Sequence, residues 1–167
     1  MPSGPAQIIL IMGVAGSGKT TIGRLLAEDL GWKYFEADDF HPPGNIDKMA
    51  RGIPLDDQDR APWLAAIRAR LDACLAAGEN AVFTCSALKE SYRRVLTVGA
   101  PRVSLIFLSG DYETIMARVG QRSNHYMKAD MVRSQFDALE VPVDALILDI
   151  RESPANLVAE IKRRLAL

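Results

Sequence analysis

The chain has 167 residues, 49% of them hydrophobic and 25% charged, with 20 basic and 21 acidic side chains and a formal net charge of −1. That length suits one domain with a sizeable core, and the charge balance argues against a nucleic-acid partner or an anionic membrane surface. The opening MPSGPAQ carries no basic segment, the apolar run Ile8–Met12 is too short for a signal peptide or membrane span, and the cytoplasm is the expected compartment.

Taken in order, Gln7–Met12 is a continuous apolar run, as suits a strand buried on both faces of a parallel sheet. Thr20–Leu30 repeats apolar residues at helical spacing (Ile22, Leu25, Leu26, Leu30) and stops at Gly31. Lys33–Glu36 reads as a short second strand. Pro62–Ala77 reads as a helix with a stripe of Leu64, Ile67, Leu71, Cys74 and Leu75. Ala81–Cys85, Val103–Leu108 and Ala145–Ile150 are three further strands, and Tyr112–Val119, Lys128–Leu139 and Pro154–Leu165 are helices between or after them. The two cysteines, Cys74 and Cys85, show neither metal-ligand spacing nor a disulfide framework and read as small core residues. Strands alternating with helices imply right-handed crossovers and a parallel sheet covered on both faces. The expected fold is α/β, with three layers around a five-stranded parallel sheet. With no repeat or linker in sight, residues 1–167 are expected to form one domain.

Between the first strand and helix runs Gly13-Val14-Ala15-Gly16-Ser17-Gly18-Lys19-Thr20, followed by Thr21. It satisfies G-x-x-x-x-G-K-[ST] in full, in the strand–loop–helix context that a P-loop requires. The glycines let successive N–H groups turn inward as a nest for phosphate oxygens, and the helix start adds its positive dipole end. Lys19 can reach the β- and γ-phosphates of a nucleoside triphosphate, and the Thr20 hydroxyl can ligate Mg²⁺. ATP and Mg²⁺ are the expected cofactors. The phosphoryl acceptor is not given by this motif.

The second strand closes with Glu36-Ala37-Asp38-Asp39. Alternation puts Glu36 and Asp38 on one face and Asp39 on the other. Ligands of such sheets sit at the carboxyl ends of the strands, so Glu36 and Asp38 are expected to look toward the P-loop. Glu36 can hold a water on Mg²⁺, and Asp38 can accept a proton from an acceptor hydroxyl or orient it for in-line attack. Asp39 reads equally well as part of a solvated acidic turn.

No Asn-Lys-x-Asp follows a late strand to read guanine. A short P-loop chain with an acidic second-strand end resembles the nucleoside-monophosphate-kinase-like group, which includes shikimate kinase. The resemblance implies an arginine-bearing lid after the fourth strand, here residues 118–130 with Arg118-Val-Gly-Gln-Arg122-Ser-Asn-His125-Tyr126. Arg118 and Arg122, one helical turn apart, are candidates to neutralise the transferring phosphoryl group; the alternative is two exposed arginines at a polar helix end.

Residues 41–64 read HPPGNIDKMARGIPLDDQDRAPWL. With Cys85-Ser-Ala-Leu-Lys89, Tyr92-Arg93, His125-Tyr126 and Ser134-Gln135-Phe136, this stretch resembles the gluconokinases of the P-loop type, from about Ile8 to Leu165. That resemblance implies transfer of the ATP γ-phosphate to the 6-hydroxyl of D-gluconate, a substrate-binding helical segment at residues 41–78, and a homodimer, which is usual in the family. A linear polyhydroxy acid needs fixed cations for its carboxylate and hydrogen-bonding side chains for its hydroxyls. Arg60, Lys89 and Arg93 are candidate carboxylate binders, His41, Asp57 and Gln135 candidate hydroxyl partners, and Lys48 a candidate for either. His125 belongs to the same substrate set. Asp57 can instead cap the helix entered through Pro62, Lys48 can simply be solvated, and Trp63 reads as core or lid packing. Relatives commonly carry Asp at the position of Glu36 and Gly at that of Asn124. Adenine is expected between Arg118 and the loop Asp149–Pro154. The rival readings are another small-acceptor kinase, shikimate kinase first, and a nucleotide-binding module without catalysis. Against the former, Cys85-Ser-Ala-Leu-Lys89 stands where shikimate kinase carries a glycine-rich stretch.

Overall fold

The computed structural model describes residues 4–120 and 125–167, and of residues 125–128 the backbone alone. Five strands form one wholly parallel sheet: β1 (Ile8–Met12), β2 (Lys33–Glu36), β3 (Ala81–Thr84), β4 (Val103–Ser109) and β5 (Leu146–Asp149), in the spatial order β2-β3-β1-β4-β5. Among the described residues seven α-helices surround it: α1 (Lys19–Leu30), α2 (Pro43–Ala50), α3 (Asp57–Ala76), α4 (Glu90–Thr97), α5 (Tyr112–Gly120), α6 (His125–Ala138) and α7 (Pro154–Leu165).

The strands read as unbroken apolar runs because they are buried on both sides. In β1, Ile8, Leu10 and Met12 enter one core with Phe83 of β3, Trp63, Leu64, Ile67 and Leu71 of α3, and Leu96 of α4. Ile9 and Ile11 enter the other core, with Ile22 and Leu26 of α1, Ile115 of α5, Val132 of α6 and Leu157 and Ile161 of α7. Period-two alternation thus sends neighbouring β1 residues into opposite layers, giving the expected three-layer α/β architecture. β1 lies at the centre, so its carboxyl end delivers the P-loop to the middle of the sheet's upper edge.

Helix α3 begins at Asp57, five residues before the proline at which apolar periodicity places its start. A reciprocal capping box is the reason. The Asp56 carboxylate accepts from Asp59 N–H at 2.8 Å, and the Asp59 carboxylate accepts from Asp56 N–H at 3.0 Å. Pro62 removes one N–H donor near the helix start, which the cap outweighs. The cap is therefore Asp56 and not Asp57. Helix α4, eight residues long, is not marked by the sequence pattern; its buried face consists of Tyr92, Arg93 and Leu96.

Candidate active site

The P-loop joins β1 to α1 as expected. Gly16 has φ +81, and a Cβ there would lie 2.8 Å from Val119 Cγ2, so both conformation and close approach require glycine. Ser17 is buried, with its Oγ unpartnered inside the cradle, a polar atom that an anionic ligand can satisfy. Lys19 Nζ donates to Val14 O at 3.1 Å, folding back over the loop. Burial pulls the Lys19 ammonium below its ordinary value, against the opposing influence of Cys85, Asp38 and Glu36. Cys85 itself is an inert neighbour: burial pushes its thiol up to about 12. The Ala15 N–H donates to Gln135 Oε1 at 2.6 Å, so Gln135 reaches from α6 onto the P-loop, with its carbonyl oxygen already engaged.

Thr20 Oγ1 donates to Glu36 Oε2 at 2.8 Å, and Tyr34 OH donates to the same oxygen at 2.5 Å. A hydroxyl and a carboxylate in contact at the first turn of α1 are hard oxygen donors. This set fits Mg²⁺, which retains several waters and takes one or two protein oxygens. Beyond Glu36 the chain stops alternating, because Ala37–Phe40 winds into a 3-10 turn. The same-face argument for Glu36 and Asp38 therefore fails in its detail. The turn nevertheless sets Asp38 among Glu36, His41 and Lys19, which act on its charge. Partial burial, then Glu36, raises the Asp38 carboxyl above the ordinary carboxylate value, while His41 and Lys19 oppose the shift.

The other half of the site is built by α2, α3 and the start of α4. His41 stacks on Trp63 with centroids 4.5 Å apart and planes at 10°. Trp63 is core packing, as expected: it is 3% exposed and donates Nε1–H to Ala37 O at 2.7 Å. Asn45 bridges the same corner, its Nδ2 lying 3.2 Å from His41 Nδ1 and donating to Asp59 O at 2.8 Å. Burial lowers the His41 imidazole below its ordinary value, with Arg60 adding to the effect and Asp38 opposing it. Lys48 keeps its contact with solvent but is paired: Nζ sits 2.9 Å from both carboxylate oxygens of Asp59.

Asp57, relieved of capping, joins a cluster with Arg60, Lys89 and Tyr92. Tyr92 OH donates to Asp57 Oδ1 at 2.7 Å, Arg60 Nη1 donates to Tyr92 OH at 3.2 Å, and Lys89 Nζ lies 3.9 Å from Asp57 Oδ1. Arg60 Nη1 is 4.0 Å from the same oxygen, so both cations are held only loosely. Arg93 stands apart. It is 3% exposed, with Nη1 donating to Ala87 O and Leu88 O at 2.9 and 3.0 Å and Nη2 to Glu140 O at 2.8 Å. Its Nε is buried without a partner. Expected as a binder of the substrate carboxylate, Arg93 is instead engaged within the chain: Nη2 also donates to Glu90 Oε2 at 3.2 Å, and these contacts hold the loop that carries Lys89, including Ala87 at its strained φ of +42.

A cleft of about 600 Å³ opens beside the cradle, lined by residues 16–22, Arg118, Val119 and the segment from Ile150 to Leu157. Arg118 donates to the Ile150 carbonyl, which ties α5 to the loop after β5. Arg118 thus forms a wall of the cleft next to the P-loop. Arg122 and the His125 side chain lie outside the described residues. Sequence reasoning missed Tyr34, Asn45, Asp59 and Tyr92. The one available signal was their placement within three residues in sequence of chosen site residues.

Fold and cradle together define a P-loop kinase. The AAA domain family model matches residues 8–146. The chain is 42% identical over 161 residues to the thermosensitive gluconokinase of Escherichia coli, covering 94% of this chain and 86% of that one. Two solved structures agree: a gluconokinase from Sinorhizobium meliloti (TM-score 0.84, 42% identity, 97% and 92% covered) and a sugar kinase from Janibacter (TM-score 0.87, 42% identity, 97% and 95% covered). This chain belongs to the gluconokinase family.

Proposed function

We propose that the protein transfers the γ-phosphoryl group of ATP directly to the 6-hydroxyl of D-gluconate, giving 6-phospho-D-gluconate and ADP. The observation that carries this reading is an intact phosphate cradle, with a buried unpartnered Ser17 Oγ, in a chain of the gluconokinase family; the mutual influence of the Lys19 and Asp38 charges supports it. Residues 13–21 hold the ATP phosphates, Arg118 and the 149–154 loop flank the adenine, and segments 41–78 and 118–130 serve as acceptor-binding segment and lid. Arg60 and Lys89 receive the carboxylate, displacing the loose contact with Asp57. His41, Asp57, His125 and the amide NH₂ of Gln135 address the hydroxyls, with Lys48 held in reserve by Asp59. Asp38 orients the attacking hydroxyl and takes its proton. Lys19, with Arg118 and Arg122, balances the charge that develops on the transferring group. Thr20, and Glu36 through a water, would hold Mg²⁺, which would supply further charge neutralisation at the phosphates. The site works as a homodimer subunit in the cytoplasm under this proposal, and no helix among the described residues is long and apolar enough to cross a membrane.

Release of ADP, followed with gluconate, shikimate or AMP as acceptor, tests the proposal. Gluconate should stimulate release far above the acceptor-free rate while the other two leave it unchanged. Equal rates with and without gluconate would refute the acceptor assignment.

A further inference from the structure

We propose that Tyr34 is a positioning residue for the metal-binding pair Thr20–Glu36, acting through a hydroxyl relay that begins at Thr84. Proton accounting gives the direction of the relay. The Glu36 carboxylate only accepts, so the single Tyr34 proton goes to Oε2 at 2.5 Å and the Thr20 proton to the same oxygen at 2.8 Å. Thr84 Oγ1, 2.9 Å from the Tyr34 oxygen, then donates to it. Thr84 is fully buried and paired in register with Glu36 across β2 and β3, so the start of the relay is fixed by the sheet.

Two consequences follow for the site. With its proton committed to Glu36, the Thr20 hydroxyl offers its lone pairs to a cation. With both hydrogen bonds on Oε2, Glu36 has Oε1 left to accept from a metal-bound water. Tyr34 thus prevents a flexible three-carbon arm from rotating away from Thr20.

The seat of the ring is built into the helix that carries Thr20. A Cβ at Gly23 would come within 2.8 Å of Tyr34 Cε2 and 2.5 Å of Thr84 Cγ2. The missing side chain is therefore a notch, one turn after Thr20, into which the ring and the Thr84 methyl fit. The Arg24 guanidinium lies 5.6 Å from the ring centroid and adds a cation–π contact. Tyr34, Thr84 and the first turn of α1 form one packed unit whose polar end is the Thr20–Glu36 pair.

The inference rests on the proposal that Mg²⁺ and a nucleotide bind at this P-loop, and its test requires no acceptor. ADP binding is measured by calorimetry across a MgCl₂ titration for the wild type, Tyr34→Phe and Thr84→Val. Wild type should bind ADP more tightly as Mg²⁺ rises. In Tyr34→Phe the metal-free ADP affinity should stay within about twofold of wild type, while the Mg²⁺ concentration for half-maximal tightening rises by about tenfold. Thr84→Val should shift that midpoint in the same direction by less. A wild-type Mg²⁺ midpoint in Tyr34→Phe would overturn the relay, as would an equal loss of metal-free ADP affinity, which marks a merely structural ring. A wild type whose ADP affinity ignores Mg²⁺ would overturn the metal assignment itself, and the relay with it.

Discussion

At the scale of the residue, Lys19 and Asp38 each hold a charge that their surroundings disfavour. Burial lowers the Lys19 ammonium and raises the Asp38 carboxyl from their ordinary values. In the proposed mechanism Asp38 acts as the carboxylate, so activity should fail as pH drops through its folded-state value. Because that value is raised, the acid limb of kcat should lie above the ordinary Asp value of 3.8. The linkage to stability runs the other way. A raised acid binds more protons in the native state, so stability falls as pH rises from the unfolded to the folded value. Asp38→Asn should therefore lower kcat by about 10²- to 10⁴-fold while leaving the unfolding midpoint equal or higher at neutral pH. A pH–rate profile and a thermal melt read the two effects; a variant with wild-type kcat would contradict the role. How legible such residues were depended on the range of their interactions. Lys19 and Thr20 were legible because a contiguous motif fixes them. Arg93 was not: its type suggests an anion binder, but its role is set by carbonyls at 87, 88 and 140, which folding alone brings together. The cap falls on Asp56 and not on Asp57 because helix registry, invisible in composition, decides which of two adjacent carboxylates faces the N–H groups.

At the scale of the element, the buried strands were readable from apolar runs, and all five lie within one residue of their expected ends. Helix α3 shows how a cap can outvote periodicity. Its first five residues, Asp57–Ala61, carry no buried apolar side chain, so only the Asp56–Asp59 box marks them as helical. That box also fixes the Asp59 carboxylate that holds Lys48, and it sets the turn from which Asp57 and Arg60 project. Asp56→Ala should lower the unfolding midpoint by about 2–4 °C, as expected for loss of one N-cap in a protein of this size. Differential scanning calorimetry measures it, and an unchanged midpoint would mean that the cap contributes nothing. Helix α4 escaped notice because eight residues supply too few apolar positions to establish a period; the buried Arg93 further disguises its inner face.

At the scale of the whole molecule, strand order decides where chemistry occurs. Placing β1 between β3 and β4 brings the P-loop, the β2 terminus with Glu36 and Asp38, and the Cys85–Lys89 loop to one edge. Helices α2 and α3 then set a second wall of polar side chains against that edge, and α5 with the segment after β5 closes the nucleotide side. This assembly follows from the alternation of strand and helix and from parallel pairing, so its outline was legible from the chain alone. The approach of Lys89 and Tyr92 to Asp57 was not, since it depends on contacts that folding makes between α3 and the start of α4. The central claim is direct phosphoryl transfer to one particular oxygen, and ³¹P NMR of the reaction of ATP with gluconate tests it most directly. The wild-type enzyme should yield ADP and a single phosphomonoester on the terminal primary carbon, and Lys19→Ala should yield neither. A phosphoester at another carbon, inorganic phosphate in place of an ester, or undiminished product from Lys19→Ala would contradict the account.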